Sequence, residues 1–188
     1  MFDLDALISD CSAAAAEDRP HHAVKEVLDR VLRSPQSVAD ALAHDRGDLT
    51  LLHHTADLTI VNAVWAPGMT LYPHDHRMWA AIGIYTGQED NAFFRRGPDG
   101  IAESGGTQVE AGEVLLLGTE TIHSVSNPRR THTGAIHVYG GDFVNQPRSQ
   151  WDPMTGEEQP FDLGQVRREF ARANVAAERD VEHLDGSA

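Results

Sequence analysis

From Leu49 onward the sequence consists of short segments in which apolar and polar residues alternate, and no other feature constrains the fold as strongly. The segments include DLTIVNAVWAPG, MWAAIGIYTG and TGAIHVYGG, and turn-forming residues separate each from the next. Alternation with a period of two is typical of strands with one buried face, and many short strands in succession indicate a sandwich or a barrel. We therefore predict an all-β body over residues 48–146.

The two ends of the chain have helical periodicity instead. AVKEVLDRVL places apolar residues three and four positions apart, which predicts an amphipathic helix within residues 1–47. Ser34 and Pro35 predict the start of a short helix that extends to Leu42. Prolines and glycine between residues 145 and 160 predict a loop, and a charged helix follows from Leu163 to about residue 184. We expect a single domain with a loop and C-terminal helix at residues 147–188.

Composition excludes several classes of protein. The 188 residues include 29 acidic and 15 basic ones, so the formal net charge is -14. Such a chain is repelled by nucleic acid and by anionic membranes, and we expect neither as a partner. No apolar run approaches the ~20 residues of a membrane helix, and the N-terminus lacks the features of a secretory signal. The single cysteine, Cys11, excludes an internal disulfide. We expect a cytoplasmic protein of undetermined oligomeric state.

Three of the eleven histidines stand in a pattern typical of a metal site. His74 and His76 are two residues apart in a predicted strand, so both imidazoles face the same side. His123 follows in a separate strand, after the turn GTETI. Neutral imidazoles from two strands can bind one ion, and they suit iron, copper, nickel and zinc. We predict a three-histidine metal site.

The glycines around these histidines resemble the two motifs of the cupin superfamily. Five residues separate Gly68 from His74, and Gly87 closes the first motif. The second motif runs from Gly112 to Asn127 and contains His123. The resemblance covers roughly residues 49–145 and implies a double-stranded β-helix, or jelly-roll, barrel. The family's usual glutamate ligand is replaced by Ala80, and Glu89 is expected in the turn beyond Gly87. The implied ligand set is therefore three neutral histidines.

WAPG, PHDH followed by tryptophan, and AIHVYGG resemble the bacterial relatives of cysteine dioxygenase and 3-mercaptopropionate dioxygenase. This resemblance implies a non-haem Fe(II) centre that oxidises a small thiol to its sulfinate with O2 as co-substrate. The family's Ser-x-His-x-Tyr motif matches Ala135, His137 and Tyr139, with the serine missing. Tyr139 is expected to donate a hydrogen bond to oxygen or substrate, supported by His137, and Arg148 to bind a substrate carboxylate.

Two alternatives remain open at this point. One is a different metal-dependent cupin reaction, such as oxygenative C–C cleavage of a diketone, or an isomerisation. The other is a cupin that binds a small ligand without turnover. The bound metal, the particular thiol and the role of Arg148 are likewise open.

Overall fold

The computed structural model describes residues 1–98 and 100–185, with helices at both ends of a β-rich body. The helices are α1 (Leu4–Ala15), α2 (Pro20–Val31), α3 (Pro35–Ala39) and α4 (Leu163–Asp185). The strands are β1 (Asp48–His54), β2 (Thr59–Trp65), β3 (Thr70–Asp75), β4 (Ala80–Thr86), β5 (Gln88–Gly97), β6 (Gly100–Glu110), β7 (Val114–Leu117), β8 (Ile122–Ser126), β9 (Thr133–Tyr139), β10 (Ser149–Trp151) and β11 (Glu158–Pro160). No helix in this described part is long and apolar enough to cross a membrane.

The strands form two sheets. The five-stranded sheet has the order β1-β2-β9-β4-β7, and the six-stranded sheet has the order β11-β10-β3-β8-β5-β6. Strand pairs within both sheets are antiparallel, as between β3 and β8 and between β2 and β9. Side chains that alternate along each strand put one set between the sheets, and Val61, Ile82 and Ala135 of the five-stranded sheet lie in this interior core.

The terminal helices cover apolar surface that the barrel leaves outside its interior. Leu7, Val24 and Leu28 pack against Ile60 and Ile136 of the five-stranded sheet. Helix α4 covers a second apolar patch. Its Val166 and Phe170 pack with barrel residues Ala63, Trp65, Met69 and Leu71. Because these side chains are removed from water on both partners, helix packing stabilises the barrel at roughly 25 cal/mol per Å² of apolar surface buried.

Gly87 is required by the turn between β4 and β5. Its φ of +75° is a conformation that residues with a Cβ rarely adopt, and an added Cβ would lie 2.2 Å from the Thr133 hydroxyl oxygen. That hydroxyl also accepts a hydrogen bond from the backbone N–H of Gln88. This glycine therefore lets the chain enter β5 directly.

Three expectations about local structure are wrong. The predicted loop between residues 145 and 160 contains β10 and β11, which pair with each other and extend the six-stranded sheet through β3. Helix α3 ends at Ala39 and not at Leu42, and the Ser34 side chain makes no capping hydrogen bond. Glu89 does not lie in a turn, because β5 already begins at Gln88. This last difference changes the description of the site.

Candidate metal centre

His74, His76 and His123 lie together in the interior, on the six-stranded sheet. His74 of β3 is directly opposite His123 of β8 in the strand register, and His76 is the first residue after β3. The three side chains are buried, and one ring nitrogen from each lies within 4.8 Å of the others. We call these three residues the histidine cluster. The structure thus brings together the three residues predicted from the two motifs.

The second ring nitrogens of two cluster histidines are held by uncharged acceptors. His74 Nδ1 lies 3.0 Å from the backbone carbonyl oxygen of Tyr72, and His123 Nδ1 lies 2.8 Å from Asn91 Oδ1. A carbonyl oxygen only accepts, so each Nδ1 carries the hydrogen and each Nε2 keeps its lone pair. Outer contacts of this kind orient metal-binding imidazoles in proteins. Two cluster histidines are therefore prepared to act as ligands through Nε2.

Burial keeps the cluster uncharged. Burial lowers the pKa of His74 to about 4, and burial lowers the pKa of His76 and His123 well below the usual 6.5. The neighbouring imidazoles add to the effect on His76 and His123, because positive charges in contact oppose each other. Metal ions bind the neutral imidazole, so no proton has to be displaced from these rings at neutral pH.

The donor set fits a divalent transition metal. The Nε2 atoms of His76 and His123 are 3.4 Å apart. Two nitrogens bonded to one ion at about 2.0–2.1 Å, with an angle near 90–110°, would be about 2.8–3.4 Å apart. Ala80, where the cupin pattern has a carboxylate ligand, is buried and lies opposite Tyr139 in the strand register. Three neutral nitrogens would leave the full charge of the ion available to anionic ligands.

His137 and Tyr139 approach the cluster from the five-stranded sheet. The Tyr139 ring is 4.9 Å from the His76 ring, and the Tyr139 hydroxyl is 2.9 Å from His137 Nδ1. Burial raises the pKa of Tyr139, so its hydroxyl keeps its proton at neutral pH. The phenol of Tyr139 therefore lies between the cluster and His137.

Glu89 is a buried member of this site that the sequence interpretation placed elsewhere. Its Oε1 accepts a hydrogen bond of 2.5 Å from the Trp65 indole N–H and lies 3.1 Å from His137 Nε2. The side chain is fully buried, and its Oε2 has no hydrogen-bond partner among the residues that the structure describes. Ala135, in the place of the missing serine, has no hydroxyl to offer His137. The hydrogen-bond partner of His137 is instead the Glu89 carboxylate, which comes from the six-stranded sheet.

Asn91, which holds His123, was also missed. Glu89 and Asn91 are two apart on β5, so they share the face that points between the sheets. The available signal was the alternation in QEDNAFF, where positions 89, 91 and 93 form one strand face. Glu89 and Asn91 do not look like members of a buried strand face, because charged and amide side chains after a glycine are usually solvated.

Arg148 is buried near the cluster and pairs with no carboxylate among the residues that the structure describes. Its guanidinium lies 3.9 Å from the centre of the Phe161 ring and 4.2 Å from that of Phe143. Nη1 donates to the carbonyl oxygen of Phe143 over 2.6 Å, whereas Nε has no partner among the described residues. Burial lowers the pKa of Arg148 to about 10, so it is charged at neutral pH. The Phe143 ring is also 6.1 Å from the His76 ring, and the Phe161 ring is 6.0 Å from the His74 ring.

A surface depression of about 610 Å³ borders Arg148. Its lining includes Gln146, Ser149 and Glu158, which belong to the segment that carries β10 and β11. Arg77 also borders it, but the buried carboxylate of Asp75 binds Arg77 Nε at 2.8 Å. Arg148 is thus the wall residue whose charge is not already paired within the described residues.

Solved structures of cupin proteins resemble the barrel. A protein with a double-stranded β-helix domain from Klebsiella pneumoniae subsp. pneumoniae is 16% identical, over 60% of this chain and 87% of that one, with a TM-score of 0.44. A cupin superfamily protein from Desulfitobacterium hafniense is 12% identical, over 56% of this chain and 88% of that one, with a TM-score of 0.45. A cupin family protein from Methanocaldococcus jannaschii is 10% identical, over 53% of this chain and 84% of that one, with a TM-score of 0.43. No family model matches the sequence.

The fold follows from this chain's own sheets and site. Two antiparallel sheets enclose the interior, and three imidazoles from adjacent strands meet there. The chain has a cupin double-stranded β-helix with helices at both ends, as the sequence motifs predicted. Its histidine cluster could hold a metal ion.

Proposed function

We propose that the protein is an Fe(II)-dependent dioxygenase that converts a small, carboxylate-bearing thiol to its sulfinate. The observation that carries this proposal is a buried, unpaired guanidinium beside three neutral imidazoles. The cluster supplies a place for a metal, and Arg148 supplies a place for an anion. A substrate with a thiol at one end and a carboxylate at the other would satisfy both.

The environment of Arg148 favours an anionic ligand. An unpaired buried charge is costly, and its cost is offset when an opposite charge binds. Its Nη1 is engaged by backbone carbonyls, which fixes the plane of the guanidinium. A planar guanidinium can form two parallel hydrogen bonds to a carboxylate, a geometry that lysine does not offer. Phe143 and Phe161 shield this contact from water and thereby strengthen it.

The reaction needs no external reductant. A thiol and O2 give a sulfinate and one proton: the S–H bond breaks, two S–O bonds form, and both oxygen atoms enter the product. Sulfur loses four electrons and O2 accepts four. His74, His76 and His123 would hold the ferrous ion, which would supply a Lewis acid for the substrate thiol and the redox chemistry that O2 requires. Arg148 would orient the substrate, and Tyr139, whose hydroxyl contacts His137, would lie beside the bound substrate.

An oxygen electrode with mass spectrometry tests the proposal. Metal-stripped protein is reloaded with Fe(II) without oxygen and then mixed with O2 and a panel of thiols with and without a carboxylate. We expect one O2 consumed per thiol, two labelled atoms in the sulfinate when ¹⁸O2 is used, and a preference for carboxylate-bearing thiols. Uptake with diketones and with no thiol would instead indicate C–C cleavage, and no uptake with any thiol overturns the proposal.

A further inference from the structure

We propose that Glu89 is a positioning residue that fixes the tautomer of His137. As a consequence, the Tyr139 hydroxyl donates its hydrogen bond to His137 and presents only lone pairs to the metal cavity. This direction is opposite to the one expected from the sequence. The inference concerns the site of the proposed function and rests on it only for the identity of the ligand that meets Tyr139.

The first step concerns the hydrogen between Glu89 and His137. An indole N–H can only donate, so Glu89 Oε1 is the acceptor in its 2.5 Å contact with Trp65. The same oxygen lies 3.1 Å from His137 Nε2. A carboxylate oxygen beside a ring nitrogen requires a hydrogen between them, and His137 supplies it when Nε2 is protonated. We refer to Glu89, His137 and Tyr139 as the relay.

The second step fixes the Tyr139 hydroxyl. In a neutral imidazole, a proton on Nε2 leaves a lone pair on Nδ1. His137 Nδ1 lies 2.9 Å from the Tyr139 hydroxyl, which must therefore donate in this contact. In this tautomer His137 donates from Nε2 to Glu89, and Tyr139 donates to His137 Nδ1, so each contact contains one hydrogen.

The surroundings keep Glu89 in place. Trp65 stacks on Phe170 of helix α4, with ring centroids 5.3 Å apart, and its ring is 6.2 Å from that of His137. Side chains packed this way have few alternative rotamers. Glu89 itself is fully buried on β5, a central strand of the six-stranded sheet. The relay therefore holds one arrangement and connects the helix-covered side of the barrel with the cluster.

The consequence concerns what binds next to Tyr139. The Tyr139 ring is 4.9 Å from that of His76, so a ligand bound at the cluster would lie beside Tyr139. An oxygen that offers only lone pairs there is complementary to a ligand with an O–H or N–H group. A coordinated water, or an ammonium or hydroxyl group of the substrate, meets this requirement, whereas a ligand atom with lone pairs alone does not.

Nitrogen NMR of the zinc-loaded protein tests the proposal, since zinc is diamagnetic and the measurement uses neither thiol nor O2. The protein is labelled with ¹⁵N histidine, and His137→Gln identifies the signals of residue 137. We expect a protonated Nε2 and an unprotonated Nδ1 in His137. In Glu89→Leu this tautomer should cease to dominate, and in Glu89→Gln it should persist, because the amide oxygen can still accept.

The control is the set of cluster signals, which should be the same in every variant that folds and binds zinc. A protonated Nδ1 on His137 in the unmodified protein overturns the proposal, and this result is available even if Glu89→Leu does not fold. An unchanged tautomer in a folded Glu89→Leu also overturns it. Absence of thiol oxidation would contradict the proposed function and leave this measurement unaffected.

Discussion

His137 and the three residues of the histidine cluster are buried, and their rings are held in two different ways. His74 and His123 of the cluster donate to a backbone carbonyl and to an amide, both uncharged. His137 across the cavity has a carboxylate on one nitrogen and a phenol on the other. Uncharged acceptors orient a ring without changing the charge of the site. This suits neutral imidazole ligands, because a bound metal would then keep its full charge. A carboxylate both orients its ring and adds negative charge to the site.

Two buried carboxylates show the same division. Asp75, between two cluster histidines in sequence, accepts from the Ser149 backbone N–H and pairs with Arg77 and Arg96. Glu89 pairs with no arginine or lysine in the described part of the chain. The charge of Asp75 is therefore balanced and ties β3 to β10, whereas that of Glu89 is directed at His137. Position in the sequence did not distinguish these roles, but their partners do.

The largest expected effect is loss of metal from the cluster. His123→Ala removes one of three proposed ligands, and we expect metal affinity to fall by more than about 100-fold, beyond the roughly 10–100-fold effect of losing an outer partner. Equilibrium dialysis against Fe(II) without oxygen measures it. His132→Ala, which changes the residue just before β9 and outside the histidine cluster, should bind as the unmodified protein does. Equal affinity of the His123 variant would contradict the cluster's role.

The cluster should also make the metal-free protein sensitive to acid. The pKa of His74 is about 4 in the folded chain and 6.5 as the ordinary value, so the unfolded chain binds the proton first as pH falls. The free energy of unfolding therefore decreases from pH 6.5 towards pH 4, by about 3 kcal/mol for this residue. Above pH 6.5 the contribution of His74 to stability is complete. Urea unfolding with a chelator at several pH values measures the loss.

His74→Gln is the matched variant for the acid sensitivity, because it keeps a polar side chain that cannot titrate. Its stability should fall less steeply between pH 6.5 and 4 than that of the unmodified protein. The burial of His76 and His123 acts in the same direction, so part of the slope should remain. A slope that is equal in both proteins would contradict the assignment.

Arg148 should act on substrate binding and not on the metal. Arg148→Met keeps much of the side-chain volume but removes the charge, and loss of a charged hydrogen bond of about 1.5–3 kcal/mol raises KM by roughly 10- to 100-fold. The effect should appear with a carboxylate-bearing thiol and be absent with a thiol that lacks the carboxylate. A similar rise for both thiols would contradict a carboxylate contact.

The smallest effect is expected for the balanced carboxylate. Asp75 alternates with His74 and His76 along the chain, so its side chain faces away from the cluster. Asp75→Asn retains an acceptor for Ser149 but loses the charge between two arginines, and we expect a loss of roughly 1–3 kcal/mol in stability with metal affinity unchanged. Glu120→Gln, which removes the exposed partner of Arg77, should cost less than about 0.5 kcal/mol. A loss of metal in Asp75→Asn would contradict the purely structural role given to Asp75.

The sequence predicted the barrel and the meeting of the three histidines because both depend on local patterns. Period-two alternation defines a strand face, and spacing of two puts His74 and His76 on one side. The glycines at 68, 87 and 112 have positive φ, which explains why the motif spacing carries over into turns at those positions. These are short-range constraints that a single sequence contains.

The contact of Glu89 with His137 could not be predicted because the two residues come from different strands and different sheets. Trp65, Glu89 and His137 are brought together by β2, β5 and β9, and nothing in their sequence separation indicates contact. A buried glutamate without a basic partner is also rare, so a solvated turn was the ordinary interpretation. The strands at 149–151 and 158–160 are not predicted because each has only three residues, and the sheet that they extend is reached through the pairing of β10 with β3, far away in the chain.

X-ray absorption at the iron edge tests most directly whether one ion is shared by the three imidazoles. The protein is stripped, reloaded with one Fe(II) per chain without oxygen, and measured beside His123→Ala and His137→Gln. We predict scattering from three imidazoles in the unmodified protein and in His137→Gln, with fewer in His123→Ala if iron is retained at all. Iron bound without imidazole, or an unchanged spectrum in His123→Ala, would contradict the metal centre described above.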